Sequence, residues 1–419
     1  MNVELVNTGS ELMLGRVLNT HQQFLCRRLA DLGHVVTRQV AIADTGREIQ
    51  NAVREALGRA DLIITTGGLG PTSDDITREL IAELLGKKLI ENKNVLTHIE
   101  QFFAQRNRPR PAKTSVETFV PAGAEVFLNA TGTAPGLAIK IEPNPFRPDK
   151  KTSWLVMLPG PPRELRPMFD NQIVPLLKRE FAEEIFICRT LRSSGVGESR
   201  VQELVEQDLQ PLVRQGLEIG YCARPGAVDV RLVASGATAA RLIHAGEASV
   251  QKNLGANIFG FDDDEIENVV VQLLNAQKKT LALAESCTGG NIAHRVTNVP
   301  GASAVFLGGL VSYADVVKEK FVGVRAETLA AHGAVSEAVA REMAVGAREK
   351  FGADFALGVT GIAGPSGGTV EKPVGTVFIA LATASGVEVK KFLNAWDRET
   401  FKQVTATQAL DRLRQMLSA

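Results

Sequence analysis

Ala284-Glu285-Ser286-Cys287-Thr288-Gly289-Gly290 lies between a short apolar run, Thr280 to Ala284, and Asn291-Ile292-Ala293-His294-Arg295-Val296, whose apolar positions recur at helical spacing. The order predicted is strand, loop, helix. Such a junction places a hydroxyl, a thiol and several backbone N–H groups at a helix N-terminus, where aligned peptide dipoles favour an anion or a developing oxyanion. The adjacent glycines let the backbone approach a ligand with no Cβ in the way. The same letters also fit an ordinary capped turn, with Ser286 or Thr288 as the N-cap.

The same grammar continues on both sides. Val305 to Tyr313 is strand-like, broken by Gly308-Gly309, and leads into a helix carrying Lys318. Ser336-Glu337 opens a helix that buries Val339, Ala340, Met343 and Ala347; Asp354 to Val359 is a strand ending in the glycine loop Thr360 to Gly368. A last helix follows Arg398, with Val404, Leu410, Leu413 and Leu417 as its stripe. Near the start, strands at Val3 to Asn7, Val35 to Ala43 and Asp61 to Thr66 alternate with helical stripes at Phe24, Leu25, Leu29, Leu32 and at Ile49, Val53, Ala56, Leu57. Alternating strands and helices predict mainly parallel sheets covered on both faces, with ligands at the carboxyl ends of the strands.

At that end of the first half stands Thr66-Gly67-Gly68-Leu69-Gly70-Pro71-Thr72-Ser73-Asp74-Asp75. Gly67, Gly68, Gly70 and Thr72 offer N–H and O–H donors suited to phosphate. Asp74 and Asp75 offer oxygen ligands to a divalent metal, or else cap the helix that follows. Two further loops, Gly132 to Gly136 and Pro159 to Glu164, follow or precede short strands. Between the halves, Ile219 to Ala223 and Asp229 to Ala234 read as paired strands around Pro225-Gly226, and helices follow Gly195-Val196-Gly197-Glu198-Ser199 and Thr238. That is a small α+β unit.

At 419 residues, the chain is too long for one core. The domains expected are 1–170, 171–260 and 261–419. Lys+Arg and Asp+Glu both total 47, so no global basic field recommends a nucleic-acid partner, and no GxxG loop flanked by basic residues stands in the middle unit. No apolar run spans a bilayer and no secretion signal opens the chain, so a cytoplasmic protein is expected. The four cysteines, Cys26, Cys188, Cys222 and Cys287, are scattered and expected to be reduced; with no CxxC or HExxH, a zinc site is not indicated.

Gly9-Ser10-Glu11-Leu12, Thr66 to Asp75, Gly132 to Gly136 and Pro159 to Glu164 resemble the N-terminal domain of the competence/damage-inducible CinA family, similar in turn to the MoaB/MogA molybdopterin-binding fold. The resemblance implies ADP-ribose pyrophosphatase activity with a divalent metal near Asp44, Asp74 and Asp75, and Glu164 close by. Ser10 stands where many relatives carry Asp. Gly195 to Ser199 is similar to the family's KH-like linker.

Ala284 to Gly290, Val299-Pro300-Gly301, Gly308-Gly309 with Tyr313 and Lys318, Gly333 to Ser336, and Thr360 to Gly375 resemble the CinA C-terminal domain, the nicotinamide mononucleotide (NMN) amidohydrolases. The fold class expected is thus α/β: two three-layer α/β domains, MoaB/MogA-like and CinA-type, joined by a small KH-like α+β domain. The implied reaction hydrolyses the amide of NMN to nicotinic acid mononucleotide and ammonia, without a cofactor in this domain. It calls for a nucleophile, a base, oxyanion donors and a phosphate pocket. The resemblance points to Ser286 as nucleophile, Tyr313 and Lys318 as the base system and Thr360 beside them, with Cys287, Thr288, Gly289, Gly290, Gly361, Gly364 and Arg398 around the substrate. A lysine base at neutral pH needs burial or a like charge to release its proton. Cys287 is the competing nucleophile. The resemblance also implies a homodimer. The competing reading is a non-catalytic nucleotide- or pterin-binding scaffold in DNA uptake or repair.

Overall fold

Strand Leu62–Thr66 explains the first sheet. Its even residues, Leu62 and Ile64, join one core with Val3, Leu5, Leu25 and Leu165, while Ile63 joins Val6, Val53, Leu57 and Leu155 on the other face. Successive side chains of a strand point to opposite faces, so an unbroken apolar run belongs to a sheet covered twice. A computed structural model describes residues 1–181 and 185–418 of the chain, in two compact units, Met1–Phe186 and Ile187–Ala419.

The first unit is a six-stranded sheet in the order Val36–Ile42, Val3–Thr8, Leu62–Thr66, Ser153–Leu158, Gly136–Ile141, Glu125–Phe127. The first four strands are parallel and the last two antiparallel to their neighbours. The core does not stop at residue 170, where the sequence placed a domain boundary: Ile173, Leu176 and Leu177 are buried with Val3 and Leu5. The helical stretch through Val174–Glu180 therefore closes this domain.

The second unit holds two modules. A four-stranded sheet, Glu218–Arg224, Ala227–Ser235, Phe186–Ser194, Ile258–Phe261, carries helices Glu198–Val213 and Ala239–Leu254, as the α+β expectation requires. A five-stranded sheet follows, in the order Phe306–Val311, Leu281–Glu285, Phe355–Gly361, Thr376–Thr383, Gly386–Leu393. Helices Ile266–Gln277 and Arg398–Ser418 cover one face through Val270, Leu274, Leu410 and Leu413; Glu337–Phe351 covers the other through Val339, Met343 and Ala347. No helix among the described residues is long and apolar enough to cross a membrane.

Candidate functional site

Parallel pairing aligns Glu285 with Val311 on one side and Val359 on the other. Ser286 and Ser312, just past two of these strands, and Thr360, near the end of the third, therefore stand together at the carboxyl edge of the sheet. Backbone bonds lock that edge: Ser286 N–H donates to Val359 O at 2.9 Å and Ser312 N–H to Glu285 O at 2.8 Å. A cleft of about 280 Å³ opens there, lined by Ser286, Cys287, Tyr313, Lys318, Thr360, Gly361, Gly364 and Arg398, all expected from the sequence. Asp315 and Ser366 line it as well and were not anticipated.

The polar groups of this cleft are held in place. Lys318 is 1% exposed, and its ammonium donates to Tyr313 O at 3.0 Å and Asp315 Oδ1 at 3.2 Å. Thr360 Oγ1 donates to Ala334 O at 2.8 Å. Arg398 donates to the Tyr313 hydroxyl at 2.7 Å and to Gly364 O at 2.8 Å. Ser286 is buried, and its hydroxyl has no protein hydrogen-bond partner among the described residues.

The helix after the loop runs Asn291–Thr297, with Gly290 at the N-cap, so neither Ser286 nor Thr288 caps it. Its N–H groups are already taken. The buried Glu285 carboxylate accepts from Gly290 at 3.0 Å, Ile292 at 3.1 Å and Ala293 at 2.8 Å. The helix terminus expected to bind a substrate anion thus binds the chain's own. Consistent with this, Thr288, Gly289 and Gly290 stand outside the cleft, and the fully buried Thr288 hydroxyl is without a partner among the described residues. Two loop N–H groups, those of Cys287 and Thr288, donate to no backbone carbonyl among the described residues.

Burial pushes the Cys287 thiol up to about 12, against weaker opposing backbone hydrogen bonds. A thiol at that value is almost wholly protonated at neutral pH and is a poor nucleophile. Cys287→Ser is accordingly expected to leave turnover within about threefold of wild type; loss of activity in a folded Cys287→Ser chain would transfer the nucleophile's role to the thiol.

The first unit has a larger cleft, about 610 Å³, at the carboxyl end of its parallel strands. Asp44, Gly67, Gly68, Gly70, Asp74, Asp75 and Glu164 line it together. Gly68 adopts φ +69°, and a Cβ there would lie 2.0 Å from Thr77 Oγ1, so the glycine is required by the return of the chain onto the next helix. Thr72 does not line the cleft. Its N–H and hydroxyl both donate to Asp75 Oδ2, at 2.9 and 2.5 Å, and its role is to hold that carboxylate.

The divalent metal expected near Asp44, Asp74 and Asp75 finds no ready-made centre. Among the described residues no group of three or more His, Cys, Asp or Glu side chains is arranged to hold a metal ion. Asp44 accepts the Ser10 N–H at 2.9 Å and Asp75 is committed to Thr72, while Asp74 is held below the usual carboxylate range by the Thr72 hydrogen bond. These residues do not fit a preassembled site.

Sequence reading missed Glu117, in the 3-10 turn Ala112–Thr118. It lines this cleft fully buried, takes the Thr133 hydroxyl at 3.0 Å on one oxygen and has no partner on the other among the described residues. Burial raises it from 4.5 to about 7, Asp75 and Glu164 adding and Thr133 and Arg78 opposing. Burial also raises Glu164, against its hydrogen bond from Asn129. A carboxyl raised in the folded state is most favourable to folding below its unfolded value, and that contribution is lost as pH rises through about 7. The loss amounts to about 3 kcal/mol. Glu117→Gln is expected to raise the unfolding midpoint relative to wild type at about pH 8 and far less at about pH 5; an equal shift at both would refute the assignment.

The architecture defines a three-module α/β protein with one polar cleft at the strand ends of each α/β module. Family models match all three modules: "Probable molybdopterin binding domain" over residues 4–179, the damage-inducible protein CinA KH domain over 188–260 and the CinA C-terminal domain over 263–417. A protein of Moorella thermoacetica named for competence-damage inducibility is 43% identical over 423 residues, covering 100% of this chain and 99% of that protein. A "CinA-like protein" of Akkermansia muciniphila is 42% identical over 98% of this chain and 96% of its own length. The solved structure of competence/damage inducible protein CihA from Agrobacterium tumefaciens is 38% identical, with TM-score 0.36, and covers 37% of this chain and 94% of that one. The chain belongs to the CinA family.

Proposed function

We propose that the C-terminal module hydrolyses the amide of NMN, giving nicotinic acid mononucleotide and ammonia. The observation that supports this most is the convergence of Ser286, Lys318, Thr360, Tyr313 and Arg398 on one small cleft. In this reading Ser286 Oγ attacks the amide carbon and its proton passes to the base system of Tyr313 and Lys318, with either the neutral Lys318 amine or the Tyr313 phenolate as the form that accepts it. The oxyanion takes the Cys287 N–H, a donor worth about 3 to 4 kcal/mol in such sites. The C–N bond breaks, ammonia leaves with that proton, and water cleaves the acyl-Ser286 ester to the carboxylate. Arg398 holds the Tyr313 hydroxyl and faces the substrate phosphate.

Hydroxylamine present during turnover should intercept the ester and yield a hydroxamate. A product that stays wholly carboxylate at saturating hydroxylamine contradicts the covalent route.

For the N-terminal module the proposal is hydrolysis of ADP-ribose to AMP and ribose 5-phosphate. The glycine loop Thr66 to Asp75 and the size of its cleft support it. Its test is formation of AMP from ADP-ribose with and without added divalent ions; no AMP under either condition from a chain that still deamidates NMN withdraws this half alone.

A further inference from the structure

A cavity of about 760 Å³ in the second unit is separate from the Ser286 cleft. Helix Glu198–Val213 begins at its wall, and the N-cap Gly197 brings no side chain to the first N–H groups. Ser194 stands just before, lining the cavity at 1% exposure, its hydroxyl without a partner among the described residues. Opposite in character are Trp396, 60% exposed, and Phe392, whose ring has the Lys390 ammonium 5.4 Å from its centroid. An uncapped helix terminus, an orphaned hydroxyl and the cationic Arg224, Lys390 and Arg412 suit an anion and outnumber the Glu198 and Asp411 carboxylates of the same lining; an exposed indole suits a flat ring stacked on it.

We propose that this cavity is a second ligand site for a planar ring carrying a phosphate, a mononucleotide in chemical class, and that its occupancy is felt in the Ser286 cleft. The link is short. Trp396 lies two residues before Arg398, which lines the Ser286 cleft and holds Tyr313 and Gly364. An occupant stacked on Trp396 bears on the segment that positions Arg398.

The chain has two tryptophans; Trp154 is buried and emits toward the blue, so the red edge of the emission reports on the exposed Trp396. AMP is expected to quench it saturably, with adenosine and inorganic phosphate each at least about tenfold weaker because each satisfies half the site. Gly197→Asp supplies the helix with its own carboxylate. Gly197 already has φ −76° and ψ 156°, and a Cβ there meets nothing within 4 Å, so the variant should fold. It should weaken AMP about tenfold by occupying the terminus. Unchanged emission, or equal affinity in wild type and Gly197→Asp, overturns the site. The coupling appears as an AMP-dependent KM for NMN in wild type that is absent from Gly197→Asp. That arm rests on the deamidase reading. Quenching with no NMN turnover overturns that reading and leaves the site standing; quenching with a KM indifferent to AMP overturns the coupling.

Discussion

Ser286→Ala is expected to release ammonia from NMN at least about 10⁴-fold more slowly than wild type, as removal of a covalent nucleophile does in other acyl-transfer sites. KM should change little, because Tyr313, Arg398 and the glycine loop that would contact the ligand stay in place. The substitution removes one hydroxyl that has no protein hydrogen bond among the described residues, so the fold should tolerate it. The comparison with Cys287→Ser is decisive. If Ser286→Ala keeps a tenth or more of the activity, serine is not the nucleophile, and Cys287 or a directly activated water takes its place.

Glu285→Ala is the change expected to damage stability most. Three N–H groups, those of Gly290, Ile292 and Ala293, would lose a charged acceptor in a buried place that water cannot refill. Hydrogen bonds to charged groups contribute about 1.5 to 3 kcal/mol each, non-additively, so a loss on the order of 4 kcal/mol follows. Calorimetric unfolding measures it. Glu285→Gln keeps one acceptor oxygen and should lose less, while turnover falls in both because Ser286 is the next residue. If Glu285→Ala unfolds with wild type, the carboxylate does not hold the loop.

Much of the fold was legible in the sequence because its signals are local. The run Asp61 to Thr66 reads as a doubly covered strand, and Leu62, Ile63 and Ile64 are wholly buried in two different cores. The strand–loop–helix around Ser286 is present, with strand Leu281–Glu285 and helix Asn291–Thr297. The boundary at residue 170 failed because Ile173, Leu176 and Leu177 face a sheet distant in the sequence, and spacing alone names a helical stripe without naming its partner.

At the sites, residue types were readable and their partners were not. An acid before a Ser-Cys-Thr-Gly-Gly loop gives no local sign that it will turn back onto the helix terminus; that depends on the backbone returning within 2.8 to 3.1 Å of Glu285. Thr72 and Asp75 are three apart and could have been read as a capping pair. Glu117 carries no motif. It enters its cleft only because Thr133, sixteen residues away, folds onto it.

The most direct measurement of the central claim is ammonia release from NMN by the purified 419-residue chain in EDTA, with the second product identified. The deamidase assignment predicts equal amounts of ammonia and nicotinic acid mononucleotide, undiminished by the chelator. A folded chain that releases neither would contradict it.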